Sequence, residues 1–291
     1  MKNPWTIKII EDIGEMHQVE QLQRLVWQEK DADLIPAHLI NSAVHNGGLL
    51  LGAYVDQTLV GFVFGFPGLY ITPDGPRLKH YSSIMGVLPE LSGQGLGFTL
   101  KRAQWQMVRH QGIDRITWTY DPLLGRNAWL NITRLGAVCN TYRQNFYGQM
   151  DDDLNRGLPS DRFDVDWWVN SHRVNRRLSR RRRNHLGLFH FLSGGASILN
   201  PARVDPSGLP HPVQGAEYPL GKELPIVLVE IPADFLAMKA ANLDLALEWR
   251  MHTRTFFVEL FDVGYLVTDF VRAEENPPRS YYVLVHGEST L

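Results

Sequence analysis

Cysteine is nearly missing from this chain of 291 residues: Cys139 stands alone, so no internal disulfide can form and a reducing compartment is expected. Charge of one sign is missing too. Lys and Arg total 29 against 31 Asp and Glu, a net charge of −2, which gives no overall pull toward nucleic acid or membrane. No apolar run approaches the ~18 residues that a membrane span needs, and the N-terminus carries no signal-like apolar stretch. A cytoplasmic protein that does not engage a membrane is therefore expected. No Gly-Lys-Ser/Thr marks a P-loop and no Gly-x-Ser-x-Gly marks a nucleophile elbow. His45, His110, His211 and His252 lack metal-ligand spacing with cysteine or carboxylate, so no metal site is expected. What remains is a globular chain with ordinary apolar and charged fractions, 44% and 21%.

The most informative stretch is Met85-Gly86-Val87-Leu88-Pro89-Glu90-Leu91-Ser92-Gly93-Gln94-Gly95-Leu96-Gly97. It reads as a strand, a proline stop, a glycine-rich turn and a helix start, with Leu96, Leu100, Ala103 and Met107 at helical spacing and Lys101, Arg102, Gln104 and Gln106 between them. Glycines at 93, 95 and 97 allow close backbone approach, and a helix N-terminus favours an anion such as a phosphate. Gly-x-Gly-x-Gly is also not the dinucleotide spacing.

Around this stretch the periodicities predict strands over 6–10, 49–55, 59–66, 78–88, 115–120, 138–147 and 165–169, and helices over 13–27, 36–44, 96–111 and 126–135. Residues 66–76 read as a Pro/Gly loop. Ser171–Arg183 holds seven arginines and no acid, without interleaved aromatics; a solvated linker is favoured over a nucleic-acid patch. Residues 194–225 are rich in Gly and Pro and read as an irregular connector. A strand over 225–231, helices over 233–241 and 243–261, and strands over 265–271 and 281–285 close the chain. The expected division is 1–170, a connector 171–224, and a β-α-β-β unit 225–291, either a partial repeat of the stretch 115–169 or an unrelated cap.

Val-x-Pro followed by Gly-x-Gly-x-Gly resembles the acetyl-CoA motif of the GNAT superfamily of N-acetyltransferases. The order β-α-α-β-β-β-α-β-α-β-β is that of the GNAT fold. Trp118–Pro122, Arg126-Asn127-Ala128 and Leu135-Gly136-Ala137 resemble a group of predicted, largely uncharacterised GNAT proteins. The resemblance implies an α/β mixed sheet with an additional C-terminal unit, and acetyl-CoA as co-substrate of a transfer to the amine of a small molecule. It implies that Ser92, Gly93, Gln94, Gly95, Leu96 and Gly97 hold the pyrophosphate, that Met85 and Val87 pair with the pantetheine where the strand parts from 115–120, and that Asn127 and Asn131, which share a helix face, reach its amides. Ser92 stands where the family usually has Arg or Gln, leaving the work to backbone N–H groups. Where the family often has a tyrosine acid, four residues before Gly136, this chain has Ile132.

An aliphatic amine must lose a proton before it attacks, so a base is needed. Asp121, His80 and Tyr81 are the candidates, with a turn-former and a loop-edge histidine as the plainer readings of the first two. Tyr147 or Tyr142 could protonate the leaving thiolate, though each also reads as an ordinary strand tyrosine. Arg250 and Arg254, at i,i+4, could meet an anion but read better as a solvated helix face. Ser92 and Ile132 motivate an alternative: a non-catalytic acyl-CoA-binding or interaction protein.

Overall fold

The computed structural model describes residues 4–27, 34–150, 152, 154–179, 185–213 and 224–287. Two compact units make up the chain: 1–118 with 168–171, and 119–167 with 172–291.

The first unit runs β1 (Thr6–Ile9), α1 (Ile13–Trp27), α2 (Ala37–His45), β2 (Leu49–Val55), β3 (Thr58–Thr72), β4 (Gly75–Val87), α3 (Leu96–His110) and the start of β5 (Arg115–Tyr120), the order expected. Strands lie in the sequence β1-β2-β3-β4-β5. Apolar residues at helical spacing on α1, Met16, Val19 and Leu22, meet Leu50, Phe62 and Phe64 of the sheet and Ile40 of α2. α3 packs with Leu96 and Leu100 against Gly61 of β3, where an added Cβ would lie 3.3 Å from Leu100 Cδ1.

The loop expected over 66–76 is instead a continuation of the β3–β4 hairpin, paired from Phe66–Tyr81 out to Thr72–Gly75. Pro67 misled the reading. The β2 partner ends at Leu49–Gly65, so beyond it β3 has a free edge, where a proline costs no ladder bond.

The second unit holds the end of β5, a short helix α4 (Gly125–Ala128) and a π-wound turn Trp129–Arg134. Expected as one α-helix, this segment changes winding: the N–H of Leu135 donates to Leu130 O at 2.9 Å, five residues back. β6 shrinks to Tyr142–Arg143 and pairs antiparallel with β7 (Arg162–Trp168). The rest of the stretch expected extended over 138–147 makes single bridges at Val138 and Cys139 and a turn at 145–148.

The basic run is not a linker as far as it is described. α5 (His172–Leu178) buries Val174 and Leu178; Arg173 donates to Gly136 O and Thr268 O, and Arg177 meets Asp269 at 2.6 Å. Arg180–Arg183 lie outside the described residues. After α6 (Leu188–Ser193), the stretch expected as irregular contains β8 (Ser197–Ile198), β9 (Arg203–Val204) and β10 (Pro210–His211). β11 (Ile226–Ile231), α7 (Phe235–Ala241), α8 (Leu243–Asp262), β12 (Tyr265–Ala273) and β13 (Arg279–His286) follow, close to the expected spans. Four strands order as β12-β13-β11-β8. Phe163, Phe257, Phe270 and Tyr282 form an aromatic core with ring centroids 4.7–5.3 Å apart. Among the described residues no helix is long and apolar enough to cross a membrane.

Candidate functional site

β4 ends at Val87 and a single 3₁₀ turn, Pro89–Leu91, leads into the glycine loop. Gly93 (φ +84°) and Gly95 (φ +93°) both take the left-handed backbone that side chains resist, and Gly95 is the N-cap of α3. Ser92, Gly93, Gln94 and Gly95 are exposed, and Gly97 is half-buried; Leu96, buried, anchors the helix start. α3 has no side-chain cap bond and no acid in its first turn. Its first amide hydrogens have no acceptor within the helix, and the dipole adds partial positive charge there. An uncapped, open helix start of this kind suits an anion.

Just upstream, β4 carries a bulge. Phe64 faces Ile84 and Phe66 faces Tyr81, so Gly65 alone opposes Ser82 and Ser83. A Cβ on Gly65 would sit 2.3 Å from His80 Nε2 and 2.5 Å from Tyr81 O, so only glycine lets the strands close here. The parallel ladder of β4 with β5 consists of His80–Ile116 and Tyr81–Thr117. Beyond it the strands part, and Met85 and Val87, both half-buried, pair with β3 at Val63 and Gly61.

The first step past the ladder is bridged by a residue the periodicity had assigned to a polar face. Lys101 Nζ donates to Ser82 Oγ of β4 at 2.7 Å and lies 3.8 Å from the ring centroid of Trp118 on β5. Gln104 Oε1 accepts from Ser82 Oγ at 2.9 Å, and Gln104 Nε2 donates to His80 Nε2 at 3.2 Å. Among the described residues no carboxylate pairs with Lys101, and burial pushes its ammonium down to about 7. α3 thus buries Leu96, Leu100, Lys101, Gln104 and Val108 and leaves Ala103 and Met107 half-buried, a stripe rotated from the expected one.

His80 is no loop-edge residue. It sits inside β4 with no exposed surface, and burial, then the charge of Lys101, pulls it down to about 3. Neutral and enclosed, it cannot collect a proton from a substrate near pH 7. Tyr81 is half-buried, its ring centroid 5.6 Å from that of Phe66 and the two rings tilted by 56°.

In the second unit Asp121 ends β5, accepts the Leu123 N–H at 2.8 Å, and is clamped through both oxygens by Arg250, with Nη1 to Oδ1 at 2.9 Å. Both of its oxygens are thus engaged within the fold. The clamp also corrects the reading of Arg250, which is 1% exposed rather than solvated. Arg254 likewise turns inward, donating through Nε and Nη2 to Asp161 at 2.8 Å each. Tyr142 is half-buried, gives its hydroxyl to Asp161 at 2.8 Å, and is pushed further from ionising, chiefly by burial. Tyr147 differs: 47% exposed, in the turn after β6, its hydroxyl lies 2.8 Å from Thr119 Oγ1. Asn127 is half-buried and Asn131 buried. Ile132 is wholly core.

No family model matches the sequence, and no curated protein does either. Solved structures do match. The ribosomal-protein-S18-alanine N-acetyltransferase of Escherichia coli shares 15% identity and covers 62% of this chain and 99% of its own, with a TM-score of 0.44. Arabidopsis thaliana Naa50, in complex with the bisubstrate analogue CoA-Ac-MVNAL, shares 17% over 56% of this chain and 98% of its own, at 0.44. Salmonella typhimurium yncA, with its cofactor acetyl-CoA, shares 15% over 58% and 96%, at 0.44. These neighbours are acetyltransferases, a further match is of the GNAT family, and the chain is similar to them in fold.

Proposed function

We propose that the protein is an acetyl-CoA-dependent N-acetyltransferase acting on the amine of a small molecule. One observation carries this reading: an open, uncapped helix start with left-handed Gly93 and Gly95 directly follows a strand that parts from its parallel neighbour. Ser92–Gly97 would take the pyrophosphate through backbone N–H groups. Met85 and Val87 would pair with the pantetheine amides. The thioester carbonyl would accept an N–H of β4 near Val87.

In the reaction the amine nitrogen attacks the carbonyl carbon, a C–N bond forms, the C–S bond breaks, and the thiolate of CoA leaves and takes up a proton. An alkylammonium costs about 4.6 kcal/mol to deprotonate at pH 7. With His80 enclosed and Asp121 clamped, Tyr147 is the candidate that remains to exchange protons. A weakly basic amine needs no such help, and is therefore the favoured acceptor.

The bridge of Lys101 across the parting strands, together with the engaged Asp121, favours a second reading: a protein that binds acyl-CoA without transfer. Incubation with acetyl-CoA and a panel of aromatic and aliphatic amines, followed by free thiol, separates the two. Thiol release that depends on the amine supports transfer. Calorimetric heat with CoA but no release across the panel supports the second reading, and no heat at all removes both.

A further inference from the structure

A second pair of parallel strands parts within the C-terminal unit. β8 and β11 pair at two positions, Ser197–Val227 and Ile198–Leu228, and the Leu199 N–H still reaches Leu228 O at 2.9 Å. There the backbone ladder gives way to a side chain. Asn200 Nδ2 donates to Glu230 O at 2.9 Å and its Oδ1 accepts the Glu230 N–H at 2.7 Å. Beside this parting lies a cavity of about 250 Å³, walled by Val204, Leu209, Pro210, Ile231, Met238 and Pro277. Ligands of open α/β sheets favour the carboxyl ends of parallel strands, and small-molecule pockets pair apolar walls with a few placed polar groups.

The placed polar group here is Glu230, a lining residue only 2% exposed. Its Oε2 accepts the Ala202 N–H at 2.9 Å and meets Arg279 Nη1 at 3.3 Å. Among the described residues its Oε1 has no hydrogen-bond partner. Arg279, the cation lining the cavity, is already engaged: its Nη2 donates to Ala202 O at 2.9 Å. Asp234, also lining, caps α7 through the Ala237 N–H at 3.0 Å. A ligand carboxylate would face these acids. A purely apolar ligand would leave Oε1 desolvated without a partner, which is costly.

We propose that this cavity is a binding site for a small primary amine with an apolar body, whose nitrogen donates to Glu230 Oε1. The site goes beyond acyl transfer and does not depend on it. Burial raises the carboxyl of Glu230, against the pull of the Ala202 N–H and Arg279, and a bound ammonium would favour its ionised form.

Calorimetry on the full chain without CoA tests this, using 2-phenylethylamine and octylamine beside 3-phenylpropionate and octanoate. The amines are expected to bind saturably and at least tenfold more tightly than the acids. Ala237→Phe, at an exposed cavity-lining position of α7, should weaken the amines at least tenfold, as should Glu230→Gln. Gly95→Ala, in the glycine loop of the other unit, should leave amine affinity unchanged, so failure of the CoA site and failure of this one are told apart. No amine binding, equal binding of the acids, or an Ala237→Phe variant of undiminished affinity overturns the proposal.

Discussion

Two places in this molecule part a pair of parallel strands after a two-residue ladder, and they resolve the opening differently. Between β4 and β5 the opening is bridged by Lys101, and the chain then turns through Gly93 and Gly95 into a helix with unclaimed amide hydrogens. Between β8 and β11 Asn200 satisfies the peptide of Glu230, and the element that follows β8 is the strand β9 rather than a helix. The strand orders agree, β5-β7-β6 against β11-β13-β12. Their end-of-strand carboxylates do not: Asp121 is clamped, whereas Glu230 keeps one oxygen open. Under the two proposals above, the first opening would serve an anion at backbone donors and the second a donor group at a carboxylate.

The comparison breaks most visibly at the clamp. Arg250→Ala leaves Asp121 buried and unpaired, and should cost about 3–5 kcal/mol in urea unfolding. Lys101 tests the first bridge through pH. Its folded pKa of about 7 lies below the ordinary 10.5, so above pH 7 the unfolded chain binds the extra proton. Stability should thus rise between pH 7 and 10, by about 3 kcal/mol, and Lys101→Met should flatten that rise. Asn200→Ala tests the second bridge: stranding the buried peptide groups of Glu230 should cost about 1–3 kcal/mol in the same assay. Smallest is Gly95→Ala. Nothing lies within 4 Å of the added Cβ, so only the left-handed backbone is strained, by about 1–2 kcal/mol, and CoA should bind about tenfold more weakly by calorimetry.

Elements up to β5, apart from the outer half of the β3–β4 hairpin, were legible because their signals are local. Ile13–Trp27 and Leu49–Val55 match their expected bounds, and Asp56 and Gln57, at φ +45° and +68°, make the turn between β2 and β3. The π-wound turn at Trp129–Arg134 was not legible, since both windings share the same residues over so short a span. The glycine loop was legible as a loop, while the burial of Lys101 and Gln104 beside it was not. A polar residue one step off an apolar stripe reads as solvent-facing until its partners on other strands are known.

Sequence alone thus determined the order of strands and helices up to β5, the glycine-rich turn ahead of α3, and the lone Cys139, all set by the chain's immediate neighbours. Tertiary structure decided which charges are spent. Asp121 and Arg250 stand 129 residues apart and Asp161 and Arg254 stand 93 apart. No periodicity connects groups at such separations. Only the folded chain, by removing water from both partners at once, makes one arginine a clamp and leaves one glutamate an open acceptor.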